Sequence, residues 1–352
     1  GDSTMPKFTV GLDIAKSVFQ VHAIDRSGQV VIQRKLRRNS VLKFFAGLAP
    51  SVVGIEACHS SHYWGRELIK LGHTVRLLPT QYVKPFVVGG KNDANDAAAI
   101  CMAVSRRDIH TVPVKSAEQQ SLQSLHRMRE KAIQERTAKS NQIRSMFSEE
   151  GHIFPAGLPS LHKGIITLMD DGEAELTPIL KRLGQMYLEQ MTVLKAWLDE
   201  LDAMIDDNFK NNEICQRLAT VPGIGPVIAT AMVGLVGDPA QFKNGRRFAA
   251  WLGLTPRQHS SGGKTRLSGI TKRGDGYMRK LLVQGARAVI YNVHRKTDAR
   301  AEWIKALLAR RPANIVAIAL ANKIARIAWA VFMRGEKFIS APVKVCCREK
   351  FV

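Results

Sequence analysis

Cysteine is scarce and scattered, five residues in 352. Cys58, Cys101, Cys215, Cys346 and Cys347 form no Cys-x-x-Cys pair, and with the ten histidines they give no zinc-finger spacing. A disulfide-stapled secreted domain is therefore not expected; reduced thiols in a cytoplasm are. No run of about 18 apolar residues appears, which predicts no membrane-spanning helix. No secretory leader is visible, and Gly1-Asp2-Ser3-Thr4 ahead of Met5 reads as a cloning scar. Disorder as the main state is excluded by a hydrophobic content of 45%, ample for a core. The length fits two domains, or three.

Acidic residues are also in deficit, 30 against 52 Lys and Arg, for a net charge of +22. The imbalance is concentrated. Residues 241–352 hold 24 Lys/Arg and 5 Asp/Glu, a net of +19, which leaves the first 240 residues at +3. A basic half joined to a near-neutral half is the electrostatic signature of a polyanion partner. Nucleic acid fits better than an anionic membrane, because the cations are spread over several helices rather than along one amphipathic anchor.

The order of hydrophobic patterns gives the architecture. Phe8–Ile14, Val18–Ile24 and Val30–Leu36 read as strands, with Asp25-Arg26-Ser27-Gly28 as a hairpin turn. A short helix at 41–48, a strand at Val52–Ile55, a helix at 61–71, a strand at Thr74–Leu78 and a helix at Asn92–Val104 follow. The hairpins imply antiparallel strands and the later β-α-β crossovers parallel ones, so a mixed sheet flanked by helices is expected. That is the element order of a ribonuclease-H-like fold, assigned to residues 5–110. Residues 111–212 read as a long helical arm, interrupted by a loop at 149–172. Ile179, Leu183, Tyr187, Leu194, Leu198, Leu201 and Ile205 form an apolar stripe on it, suiting an antiparallel hairpin or an oligomeric coiled coil. Residues 213–340 read as a mostly helical basic domain, and 341–352 as a tail.

Four carboxylates fall at informative places. Asp13 ends the first strand and Glu56 follows the fourth. Asp93 and Asp96, three apart, share one face at the start of a helix. If the two strands are neighbours, all four carboxylates meet at one sheet edge. Such a cluster is a hard-oxygen site for Mg²⁺. Two ions roughly 4 Å apart can stabilise the attacking and leaving oxygens of phosphoryl transfer. Taken singly, each acid has a plainer role, as a turn residue or a carboxylate favoured by the helix dipole.

A second cluster is Thr255-Pro256-Arg257-Gln258-His259-Ser260-Ser261-Gly262-Gly263-Lys264-Thr265-Arg266, expected to be an exposed, mobile loop. Arg257, Lys264, Arg266, Lys272 and Arg273 surround Ser261 with cations that can hold a phosphate. The residues alone suit a phosphate-gripping loop as well as a serine nucleophile; His259 is a weak candidate base. Upstream, Val221-Pro222-Gly223-Ile224-Gly225-Pro226 precedes an apolar helix. Gly223 and Gly225 allow close approach of a DNA backbone, as in a helix-hairpin-helix, or make an ordinary tight turn.

Together these motifs resemble the DEDD transposases of bacterial insertion sequences, the IS-one-ten and IS-eleven-eleven family, over about residues 8–338. Gly11-Leu12-Asp13-Ile14-Ala15-Lys16, Gly54-Ile55-Glu56-Ala57 and Lys91-Asn92-Asp93-Ala94-Asn95-Asp96-Ala97 match the acidic pattern. Gly253-Leu254-Thr255-Pro256 through Ser261-Gly262 match the serine-bearing domain. The resemblance implies a recombinase that cuts and rejoins DNA, with Mg²⁺ held by the acidic quartet. It implies that Ser261, rather than Ser260, forms a covalent phosphoserine link to DNA. It also implies a structured noncoding guide (bridge or seeker) RNA pairing with donor and target DNA, and a homo-oligomer, dimeric or, in the synaptic complex, tetrameric. A cytoplasmic, nucleoid-associated protein is expected. Two other readings compete: a RuvC-type metal nuclease that resolves junctions without a covalent step, and a non-catalytic nucleic-acid scaffold.

Overall fold

The computed structural model describes residues 7–89, 92–106, 108–171 and 175–339; of Ser261 and Thr265 only the backbone is described. Gly1–Thr4, Lys91 and residues 341–352, with Cys346 and Cys347, lie outside the described residues. Two compact units divide at Gln120/Ser121.

The first unit is built on a five-stranded sheet. Its strands are β1 (Thr9–Ile14), β2 (Val18–Ile24), β3 (Val30–Arg37), β4 (Val52–Glu56) and β5 (Thr74–Leu78), in the order β3-β2-β1-β4-β5. β1 and β3 run antiparallel to β2; β4 is parallel to β1 and β5 parallel to β4. The direction follows the connections. Short turns join the first three strands. That after β2 is tied by Asp25, whose Oδ1 accepts from the backbone N–H groups of Ser27 and Gln29 at 2.8 and 3.0 Å. Helices α1 (Val41–Ala46) and α2 (Ser61–Lys70) make the parallel crossovers. Both lie on the face carrying Leu12, Phe19 and Val21, where Phe45, Trp64 and Leu68 complete the core. After a short α3 (Thr80–Val83), α4 (Asp93–Ser105) covers the other face, on a second core with Leu78, Ile100 and Val104.

The second unit is mainly helical. α5 (Ala117–Glu149) and α7 (Pro178–Lys210) are antiparallel: Ser140 meets Tyr187 at 3.0 Å, and Glu150 accepts from Thr177 at 3.2 Å. The segment 149–172, expected as a loop, instead contains α6 (Leu158–Asp170), which buries Leu161 and Ile165 against this pair. Then come α8 (Glu213–Leu218), α9 (Pro226–Val236), α10 (Gly245–Trp251), the hairpin β6 (Pro256–Ser261) and β7 (Lys264–Ile270), α11 (Gly276–Tyr291), α12 (Ala299–Leu308) and α13 (Ala313–Arg334). The serine segment is thus a two-stranded ribbon, where a loop was expected. The exclusion of a membrane-length helix needs correcting too. α13 is long and apolar enough to cross a membrane by composition, although Val316, Leu320, Ile324 and Ala328 face the core of this unit.

Candidate active site

Period-two alternation puts Gly11 and Asp13 of β1 on the face that α4 covers. The approach is close. A Cβ on Gly11 would lie 2.1 Å from the Ala97 carbonyl oxygen and 2.5 Å from the Cys101 nitrogen. Glycine lets the helix backbone rest on the strand, and that brings the helix start to the strand end. Asn92 caps α4 by accepting from the Ala94 N–H at 3.1 Å, and Asp93 and Asp96 occupy the first turn. One carboxylate oxygen each from Asp13, Asp93 and Asp96 then lie within 4.8 Å of one another.

Glu56 ends β4, the parallel neighbour of β1, yet it does not join that tight trio. Its Oε1 accepts from the Thr80 hydroxyl at 2.6 Å. Thr80 has no signature in the sequence; it arrives because β5 lies beside β4 and the chain turns at Pro79. The charges are still felt. Asp13 is pushed up from 3.8 to about 6, first by burial, then by Asp96, Asp93 and Glu56, against the Ile14 N–H that lowers it. Carboxylate oxygens alone, crowded enough to hold a proton near neutrality, are the donor set of a hard divalent cation. Among the described residues, this is the grouping of three or more potential ligands that fits a metal ion.

Ser261 ends β6, its backbone paired with Lys264 across a two-residue turn. Gly262 and Gly263 have φ of 55° and 74°, the left-handed pair that matches strand twist in a tight hairpin. Arg257 lies on β6 and Arg266 on β7, opposite His259. Lys272 and Arg273 follow β7 beyond the Thr271 N–H, which donates to the Thr255 carbonyl at 2.9 Å. All five cations are exposed. Gly223, at φ 94°, sits in the α8–α9 turn, and Gly225 precedes α9 with open space where a Cβ would stand. The carboxylates belong to the first unit, the hairpin and glycine turn to the second.

Comparison with known proteins gives these two regions a common family. The profile described as "Transposase IS116/IS110/IS902 family" matches residues 215–302, and the IS110-type DEDD profile described as "Transposase" matches residues 10–151. A "Probable family 20 transposase" of Pseudomonas aeruginosa is 49% identical over 92% of this chain and 96% of its own length. The transposase for insertion sequence element IS1111A of Coxiella burnetii is 39% identical, over 94% of this chain and 90% of its own. The transposase for IS1328 of Yersinia enterocolitica is 37% identical, over 95% and 99%. The chain belongs to the IS110/IS116 family of insertion-sequence transposases. It is an enzyme that recombines DNA.

Proposed function

We propose that the chain cuts and rejoins DNA through a composite site, with a structured noncoding RNA choosing donor and target by pairing. The first unit acts as the RuvC-like, ribonuclease-H-like domain, and Asp13, Glu56, Asp93 and Asp96 serve the chemistry. The observation that carries this reading is the convergence of Asp13, Asp93 and Asp96 within 4.8 Å beside Glu56. These residues would hold Mg²⁺, two ions per site, which when bound neutralise charge developing on the scissile phosphate. Thr80 fixes the orientation of Glu56 by donating to it.

Ser261 is the nucleophile. Its hydroxyl oxygen bonds to phosphorus as the phosphorus–deoxyribose oxygen bond breaks, and the leaving oxygen takes up a proton. Rejoining runs the exchange backwards on the partner strand. Arg257, Lys264 and Arg266 hold the phosphate, and Lys272 and Arg273 the neighbouring backbone. Gly223 and Gly225 bring a turn close to DNA without reading bases. Base pairing by the guide supplies sequence, so a half carrying +19 needs no base-reading helix. The parts divide as 5–110 for the acidic domain, 111–212 for the arm and 213–340 for the serine domain, in a cytoplasmic homo-oligomer.

The test is recombination between donor and target plasmids with guide RNA present. Ser261→Ala and Asp13→Asn should each abolish product, a loss of at least about a thousandfold of the kind seen when reacting groups are removed. A denaturation-resistant protein–DNA adduct should form with Ser261 and not with alanine. Nicked DNA from Ser261→Ala without an adduct would favour a simple metal nuclease. Activity indifferent to Asp93→Asn and to chelator would leave only a scaffold.

A further inference from the structure

We infer that the first unit holds a second subsite, on the sheet face opposite the carboxylates, for one unpaired strand of the DNA substrate where it leaves the acidic cluster. This rests on the reading of that cluster as the place of phosphodiester cleavage. The subsite is a cavity of about 710 Å³. Lys16, Arg37 and Arg38 line it, and no carboxylate is among its described lining residues. Three cations together stand out in a stretch of 240 residues whose net charge is only +3.

Arg38 is held in place. Its guanidinium lies 5.1 Å from the Trp64 ring centroid and 5.9 Å from that of Phe19. Its Nη1 donates to the Lys16 carbonyl at 3.4 Å, and its backbone N–H to the Ser17 carbonyl at 3.0 Å. A guanidinium braced against aromatic faces loses little freedom when it grips a phosphate. Trp64 lines the same cavity and is 3% exposed. Its Nε1–H is buried and finds no acceptor among the described residues. An indole nitrogen only donates, so this N–H is left without a partner in the residue that walls the cavity beneath Arg38. Tyr63, 44% exposed at the cavity, offers a ring on which a base can stack.

Register supplies the link to the carboxylates. Asp13 pairs with Gln20 and Ile14 with Phe19, so Asp13 points to the α4 face and Phe19 to the α2 face. Lys16 lies three residues past Asp13 in the turn between β1 and β2, and Arg37 pairs with Val18 at the same edge. A strand leaving the acidic cluster crosses this turn to reach Arg37 and Arg38. Base stacking on Tyr63 needs a base with an open face, which an unpaired strand offers.

The test uses the full chain carrying Asp13→Asn, so that binding is read without cleavage. A single-stranded oligodeoxynucleotide with 5-iodouracil is photocrosslinked, and peptides are identified by mass spectrometry. Because the basic half binds nucleic acid as well, the readout is the site of the adduct. An adduct on Tyr63 is expected, lost in Tyr63→Leu and reduced roughly tenfold in Lys16→Ala/Arg37→Ala. The same double variant should flatten the log–log salt dependence of binding by about 0.7 per cation removed. With Asp13 restored, its KM should rise more than its kcat falls. Adducts confined to residues beyond 120 would overturn the subsite. Equal yield with duplex DNA would overturn the unpaired strand, and a preference for single-stranded RNA would overturn its assignment to DNA. Undiminished cleavage by Asp13→Asn would instead sink the catalytic reading and leave the crosslink result standing.

Discussion

Asp13 is half-buried beside three other carboxylates, and its titration can be followed. Its carboxyl is raised from 3.8 to about 6 by burial and by Asp96, Asp93 and Glu56. A raised carboxyl favours the folded state while protonated. That contribution is complete below about pH 3.8 and is lost as pH climbs through about 6. In chelator, the thermal midpoint of the wild type should therefore fall between pH 4 and pH 7 relative to Asp13→Asn, which lacks the titrating charge. Divalent cation should restore it at pH 7. Its affinity should rise by up to about tenfold per pH unit below 6, because each ion displaces a proton. A midpoint for Asp13→Asn that tracks the wild type at every pH would show the strain to lie elsewhere. At this scale the sequence was readable where spacing fixes proximity: Asp93 and Asp96 share a turn whatever the tertiary fold. Thr80 was not readable, since its bond to Glu56 depends on two parallel strands lying side by side.

Elements were legible where their periodicity was strong. The strands β1, β2, β4 and β5 carry apolar runs, α7 has a clear apolar face, and α4 is marked by its run of alanines. The one-turn α3, the serine ribbon and α6 escaped. The serine ribbon has polar strands, Arg257 to Ser261 on one side and Lys264 to Arg266 on the other, so no alternation marks it. Helix α6 is flanked by glycine and proline, which obscured the Leu158, Leu161, Ile165 and Leu168 face. A polar knot between elements was also invisible. His126 of α5 is 2% exposed and contacts Tyr277 of α11 at 3.1 Å and Thr230 of α9 at 3.0 Å. Burial, with Arg129 nearby, pushes it from 6.5 down to about 4. A depressed histidine stabilises the fold above about pH 6.5, and that stability is lost as pH falls toward 4. The cost is on the order of 3 kcal/mol by linkage. Helical unfolding followed by circular dichroism should show this acid weakening in the wild type and not in His126→Asn. Equal slopes for the two proteins would rule out His126 as the cause.

For the molecule as a whole, charge was the most legible property, since +22 needs no fold to be felt by a polyanion. Association is harder to read. The antiparallel pair α5 and α7 buries Tyr187, Leu194, Leu198, Leu201 and Ile205 of the expected stripe within the chain, but leaves Ile179 out. A line running through Ile179 faces outward. Ile179 is 73% exposed and Val193 71%, with Met186 between them, at heptad spacing along α7. This line gives the proposed homo-oligomer an apolar surface on the arm. Ile179→Glu/Val193→Glu should shift the mass distribution of the protein toward monomer in mass photometry, with unchanged helix content. A distribution that stays put would assign association to other surfaces.

The seat of α4 on β1 has one more implication. Where Gly11 sits, main chain rests on main chain, and nothing there can be trimmed or padded by swapping side groups. The spacing between Asp13 and the Asp93/Asp96 turn is thus a fixed gauge, set by backbone contact. If the proposed guide chooses the target, that spacing stays the same when the guide is changed.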